Sequence, residues 1–141
     1  IAAVRPGNTW NDPHEAAINE LSKGLVILGV LSGNLDNLIS QEAYLPYCMT
    51  KTGHWLGLDV HDVGDYKVNG QWRVFEEGMV TTIEPGVYFN QNMMEVPKEY
   101  RGIGVRIEDD VLVTKSGNEV LTVRVPRTVG EIETLMGAAS V

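Results

Sequence analysis

The chain has 141 residues, 43% of them hydrophobic, which is enough for one domain with a core of its own. A formal charge of −8 argues against nucleic acid or an anionic membrane surface as partner, and no apolar run approaches the about 20 residues a membrane span requires. Cys48 is the only cysteine, so an internal disulfide is excluded and a reducing, cytoplasmic setting is the default.

The chain opens at Ile1 without a methionine, and no basic segment leads into an apolar one. It therefore reads as an internal or carboxy-terminal piece of a longer protein, with no signal peptide expected. Residues 1–5 read as the last turn of a helix that Pro6-Gly7 ends. Asp12-Pro13-His14-Glu15 is a helix start, with a capping Asp, Pro in the first turn and Glu three residues after the cap. Ala16, Ala17, Leu21, Leu25, Leu28 and Leu31 recur at helical spacing, which predicts an amphipathic helix over 12–31. Gly24 and Gly29 each weaken that helix by about 1 kcal/mol. Ser32-Gly33-Asn34 breaks the chain, a shorter helix follows over 35–44, and Pro46 stops it.

Beyond residue 46 the texture changes. Short β-branched runs at 79–83, 86–89, 103–107 and 111–114 are separated by Gly, Pro and Asn, and read as strands. Ser116-Gly117-Asn118 is a turn signal, 120–125 a further strand, and Thr128-Val129-Gly130-Glu131 a capping box that starts a closing helix through about residue 138. The fold class expected is α+β, with helices on one face of a mostly antiparallel sheet, in one domain over 1–141.

Chemistry concentrates in the stretch from His54 to Gly64, which holds two of the three histidines, His54 and His61. Two acidic marks follow, Ile83-Glu84-Pro85-Gly86 and Arg106-Ile107-Glu108-Asp109-Asp110. One imidazole with two strand-borne carboxylates suits Mn, Fe, Co or Zn, and the lack of thiolates argues against a structural zinc cage. Each residue also has a plainer reading. His54 alone fits a core histidine bonded to backbone, and Glu84 an exposed strand end. Along 103–110 the charged residues Arg106, Glu108 and Asp110 share one strand face, which is usually a solvated one. His61 either donates to substrate or an oxyanion near a metal, or is a loop histidine bonded to Asp59 or Asp62.

Taken together, His-Trp-Leu-Gly-Leu-Asp-Val-His-Asp-Val-Gly (54–64), the block Glu-Gly-Met-Val-Thr-Thr-Ile-Glu-Pro-Gly-Val-Tyr (77–88) and Tyr-Arg-Gly-Ile-Gly-Val-Arg-Ile-Glu-Asp-Asp (100–110) resemble the Xaa-Pro aminopeptidase (aminopeptidase P) family of pita-bread metallopeptidases. Prolidase, creatinase and methionine aminopeptidase are relatives. Arg5-Pro6-Gly7 and the two helices extend the likeness over nearly the whole chain. The resemblance implies the carboxy-terminal part of a pita-bread catalytic domain with a curved sheet. It implies His54, Glu84 and Glu108 as metal ligands, and Glu84 also as proton shuttle. His61 would be the histidine that contacts substrate and stabilises the tetrahedral intermediate, with Tyr88 and Arg106 bonding around the site. In such enzymes two divalent ions, most often Mn with Co or Zn possible, share a bridging hydroxide that attacks the bond before proline. The expected partners are peptides with proline in second position, and a homo-oligomer is expected because half a pita-bread domain leaves apolar surface uncovered. The alternatives are a prolidase-like dipeptidase and a non-catalytic binding or scaffold relative.

The sequence departs from the family pattern in two ways. The five-ligand set also needs two aspartates from strands before the Arg-Pro-Gly turn, and Asp12 sits in a helix cap instead. Relatives carry His-Gly where this chain has Thr50-Lys51, and a small polar residue in place of Gly53. These 141 residues by themselves are therefore expected to be inactive.

Overall fold

The computed structural model describes residues 1–138. Two helices come first, α1 (Asp12–Ile27) and α2 (Leu35–Ser40). Seven short strands follow: β1 (Lys67–Val68), β2 (Gln71–Trp72), β3 (Val80–Ile83), β4 (Gly86–Tyr88), β5 (Gly104–Arg106), β6 (Asp109–Thr114) and β7 (Gly117–Val120). A 3₁₀ turn, Lys98–Tyr100, precedes β5, and α3 (Val129–Ala138) ends the described chain. Every strand pair is antiparallel, in sheets ordered β1-β2, β3-β6-β7 and β4-β5. The arrangement is the α+β class expected.

Several boundaries differ from the sequence reading, each for a local reason. Residues 1–5 form a turn, with the Val4 N–H bonded to the Ile1 carbonyl, and no helix. The cap position of α1 is Asn11, while the Asp12 carboxylate accepts from the backbone and hydroxyl of Thr9. That helix stops at Ile27 instead of reaching residue 31, because Gly29 adopts a φ of 69°. Val30 N–H and Gly29 N–H then bond back to Leu25 and Val26, so Gly29 is the stop signal and not an interior weakness. Likewise α2 ends at Ser40, where Glu42 takes a φ of 54° and residues 41–47 continue as turns. Between residues 47 and 78 the sequence reading placed no strands, yet Asn69 and Gly70, both at positive φ, close the β1–β2 hairpin. The run at 120–125 leaves the sheet after Val120 and turns. The capping box at Thr128 does form: Glu131 N–H donates to the Thr128 hydroxyl, and the Thr128 N–H donates to the Glu131 carboxylate.

Two apolar cores hold these pieces. One joins the helices to β4, through Ile18, Leu25, Tyr44, Tyr47, Cys48 and Phe89. Burial pushes the Cys48 thiol up to about 11, so it stays protonated and unreactive at neutral pH. The other lies beneath β3 and β6 and gathers Val4, Trp55, Phe75, Ile83, Val111 and Val113. Among the described residues no helix is long and apolar enough to cross a membrane.

The start of α1 meets the sheet edge through His14, whose Nδ1 lies 2.7 Å from the Thr52 hydroxyl. Burial lowers the His14 pKa from its usual 6.5, and the nearby Lys51 charge lowers it further. Because the folded value lies below the unfolded one, the stability contribution is complete above pH 6.5 and is lost as pH falls through the lowered folded value. An NMR titration should therefore place the His14 midpoint below 6.5, and Lys51→Ala should move it upward. An unmoved midpoint would contradict the Lys51 contribution.

Candidate metal centre

The residues singled out in sequence converge at one end of β3. Residues 52–56 run antiparallel along the outer edge of that strand. Leu56 N–H donates to Val80, Thr82 N–H to His54 and Glu84 N–H to Thr52, with a bridge between Trp55 and Thr81. Gly53 is required in this segment, since a Cβ there would drive into the Thr82 carbonyl. His54 and Glu84 thus sit on the same face as diagonal neighbours across the pair. His54 Nε2 lies 3.1 Å from Glu84 Oε1.

The position of Glu108 follows from register. On one side β3 pairs β6 up to Ile83 opposite Asp109; on the other β4 pairs β5 from Gly86 opposite Arg106. The two ladders share one register, so Glu84 stands opposite Glu108 in the gap between them. Pro85 has no N–H to give to the ladder there, and the Ile107 N–H reaches its carbonyl only at 3.4 Å. One ligand atom each from His54, Glu84 and Glu108 lies within 4.8 Å of the others. Like charges directly opposite on a ladder repel, so this pairing is costly without a cation nearby.

Arg106 supplies part of that charge. Its Nε is 3.4 Å from Glu84 and its Nη2 3.5 Å from Glu108. The Glu84 carboxylate above all raises the Arg106 pKa, with Tyr88 and Glu108 acting in the same direction. The Tyr88 side chain lies across Gly86 and Gly104, where an added Cβ would come within 2.6 Å of its hydroxyl and 2.9 Å of its ring, respectively. His61 arrives on a loop that folds back on itself, the Asp62 N–H bonding the Trp55 carbonyl at 3.0 Å. Its ring stands perpendicular to that of His54 with centroids 4.4 Å apart. The structure therefore brings together His54, His61, Glu84, Tyr88, Arg106 and Glu108.

The donor set fits a divalent ion. His54 Nδ1 is 2.9 Å from the Trp55 carbonyl, which can only accept, so Nδ1 donates there and Nε2 is the nitrogen turned toward Glu84, where a cation would take it as ligand. Sequence reasoning missed Thr82, whose hydroxyl accepts the His54 N–H at 3.0 Å and donates to Glu84 Oε1 at 2.9 Å. Its signal was its place two residues before Glu84 on the same strand face. Thr82→Val keeps the shape but removes this link. It should weaken metal affinity by about 10-fold or more and cost about 1–3 kcal/mol of stability, because the His54 N–H loses its partner. Calorimetry and urea unfolding would measure the two effects, and unchanged affinity would contradict an orienting role.

Known proteins similar to this chain show its family. The model for metallopeptidase family M24 matches residues 1–115. The chain is 50% identical over 136 residues to the Xaa-Pro aminopeptidase of Haemophilus influenzae, covering 96% of this chain and 31% of that protein. It superposes on the structure of Pseudomonas aeruginosa aminopeptidase PepP with a TM-score of 0.94 at 56% identity, covering 97% of this chain and 31% of that one. The Zn-substituted Escherichia coli aminopeptidase P in complex with product gives a TM-score of 0.88 at 48% identity, over 97% of this chain and 31% of that one. The chain thus spans about a third of the length of the relatives it matches.

Proposed function

The chain belongs to metallopeptidase family M24, and from that premise we propose that the protein containing it is a metal-dependent aminopeptidase cleaving an N-terminal residue from a following proline. The observation that carries this reading is the pair of glutamates, Glu84 and Glu108, facing each other across an open ladder beside His54, whose Nε2 is turned toward Glu84. That arrangement is costly for a merely solvated sheet and well suited to a cation.

His54, Glu84 and Glu108 would hold the metal, with two divalent ions of the Mn, Co or Zn kind in the complete site. Such ions supply Lewis acidity and make water acidic enough to attack an amide at neutral pH. The protein's own groups do the rest. The Glu84 carboxylate takes a proton from the attacking water and passes it to the departing proline nitrogen. His61, at the mouth of the site, donates to the oxygen that gains charge as the carbonyl becomes tetrahedral. Arg106, paired with Glu84 and Glu108, orients both carboxylates and offsets part of their repulsion, and Tyr88 borders the same space.

Assay of the full-length protein on an Xaa-Pro peptide tests the reading. Metal-dependent release of the first residue is expected, with loss on chelation and recovery on adding Mn. Turnover that survives complete chelation would contradict it. The 141 residues alone supply three of the ligands a two-ion site needs, so they are inactive; rapid turnover by them would overturn that part. Self-association of the chain belongs to the same reading, since Val129, Ile132 and Leu135 on α3 and Val105 on β5 are exposed. A clean monomer in sedimentation at high concentration would count against it.

A further inference from the structure

The residue after Glu108 points the opposite way and is held far more firmly than Glu108 itself. Asp109 is 5% exposed. Its Oδ1 accepts from the Thr122 hydroxyl at 2.6 Å, and its Oδ2 is ion-paired with the Arg127 guanidinium. The same Thr122 oxygen accepts the Asp110 N–H at 3.1 Å, and the Leu121 N–H donates to the Asp110 carbonyl at 2.8 Å. A carboxylate is costly to bury without such partners. Here both side-chain hydrogen-bond partners come from the segment 121–127, which leaves the sheet after β7, while the Ile1 ammonium adds an electrostatic contact. Arg127 is anchored in turn, its N–H donating to Glu131, the residue that caps α3.

Glu108, by contrast, lies in the open part of the ladder. Its side chain is 40% exposed, and among the described residues its carboxylate has only the Arg106 guanidinium, at 3.5 Å, as hydrogen-bond partner. The direction of its side chain is therefore set mainly by the backbone of its neighbour. We propose that Arg127, acting with Thr122 through Asp109, is a positioning residue that aims the Glu108 carboxylate at the metal centre. The inference rests on the reading of Glu108 as a metal ligand. It also accounts for the turn at 121–125: Thr122 must leave the sheet to bond both Asp109 and Asp110.

The test compares Arg127→Ala, Arg127→Lys, Thr122→Val and Glu108→Gln in the full-length protein. Mn affinity is read by electron paramagnetic resonance, Co coordination by visible absorption, and thermal stability on the metal-stripped protein. Arg127→Ala and Thr122→Val should each weaken Mn binding by about tenfold and shift the Co spectrum. kcat at saturating Mn should be restored. Arg127 makes a single contact with Asp109, so Arg127→Lys should recover most of the lost affinity. Wild-type Mn affinity and Co spectrum in both Arg127→Ala and Thr122→Val would overturn the proposal. So would an affinity loss that follows the metal-stripped stability and is not recovered by Lys. Unchanged Mn affinity in Glu108→Gln would instead bring down the ligand reading, and the inference with it.

Discussion

On the proposed function, Glu84→Gln should lower kcat/KM of the full-length protein on an Xaa-Pro peptide by about 10³-fold or more, since it removes the proposed proton carrier and metal ligand together. The substitution keeps the shape of the side chain and the contact its oxygen makes with Thr82. It removes the negative charge that His54 Nε2 and Arg106 face at 3.1 and 3.4 Å. The stability change separates this account from a plainer one. If Glu84 served only to hold Arg106, losing its charge would destabilise the metal-stripped protein. If Glu84 and Glu108 are two like charges set opposite each other to bind a cation, removing one relieves their repulsion. The melting temperature of the metal-stripped variant is then expected to be unchanged or higher, while activity collapses. Activity within tenfold of wild type, or a clear fall in that melting temperature, would contradict the account.

The largest stability effect is expected at Phe75. This side chain is 2% exposed and packs among Val4, Trp55, Ile83, Val111 and Val113, with ring centroids 6.0 Å from Trp10 and 6.1 Å from Trp55. Phe75→Ala leaves a cavity in a core that has few ways to collapse, because one wall is the β3–β6 ladder itself. The expected cost is about 3–5 kcal/mol, a large part of the 5–15 kcal/mol, roughly, that a domain has to lose. Trp55 directly follows His54 and shares that core, so the same cavity loosens the backbone that carries the imidazole. Urea unfolding should show the loss; a cost under about 1 kcal/mol would mean that the packing relaxes freely.

The candidate ligands were legible in sequence because they depend on residue types at fixed places. A histidine among apolar residues and two glutamates at strand ends already describe a hard or borderline cation site. Their convergence was not legible from the residues themselves. It depends on the register that sets Glu84 opposite Glu108, a pairing between strands more than twenty residues apart. The tie of Thr82 to His54 and the Asp109–Arg127 clamp were missed for the same reason, since those partners are distant in sequence. The helix errors were of another kind. Gly29 and Glu42 end helices by taking positive φ, and the reading weighed Gly29 as a cost to the helix without seeing it as the stop. Asn69-Gly70 was a readable hairpin signal that the strand assignment passed over.

The most direct test of the central claim, that His54, Glu84 and Glu108 hold a divalent metal, is a calorimetric titration of the full-length protein with Mn, repeated on His54→Ala. The account predicts binding of about two ions per chain in the wild type and loss of at least one of them in the variant. Unchanged stoichiometry and affinity in His54→Ala would mean that the metal sits elsewhere, and that this cluster is only a charged sheet face.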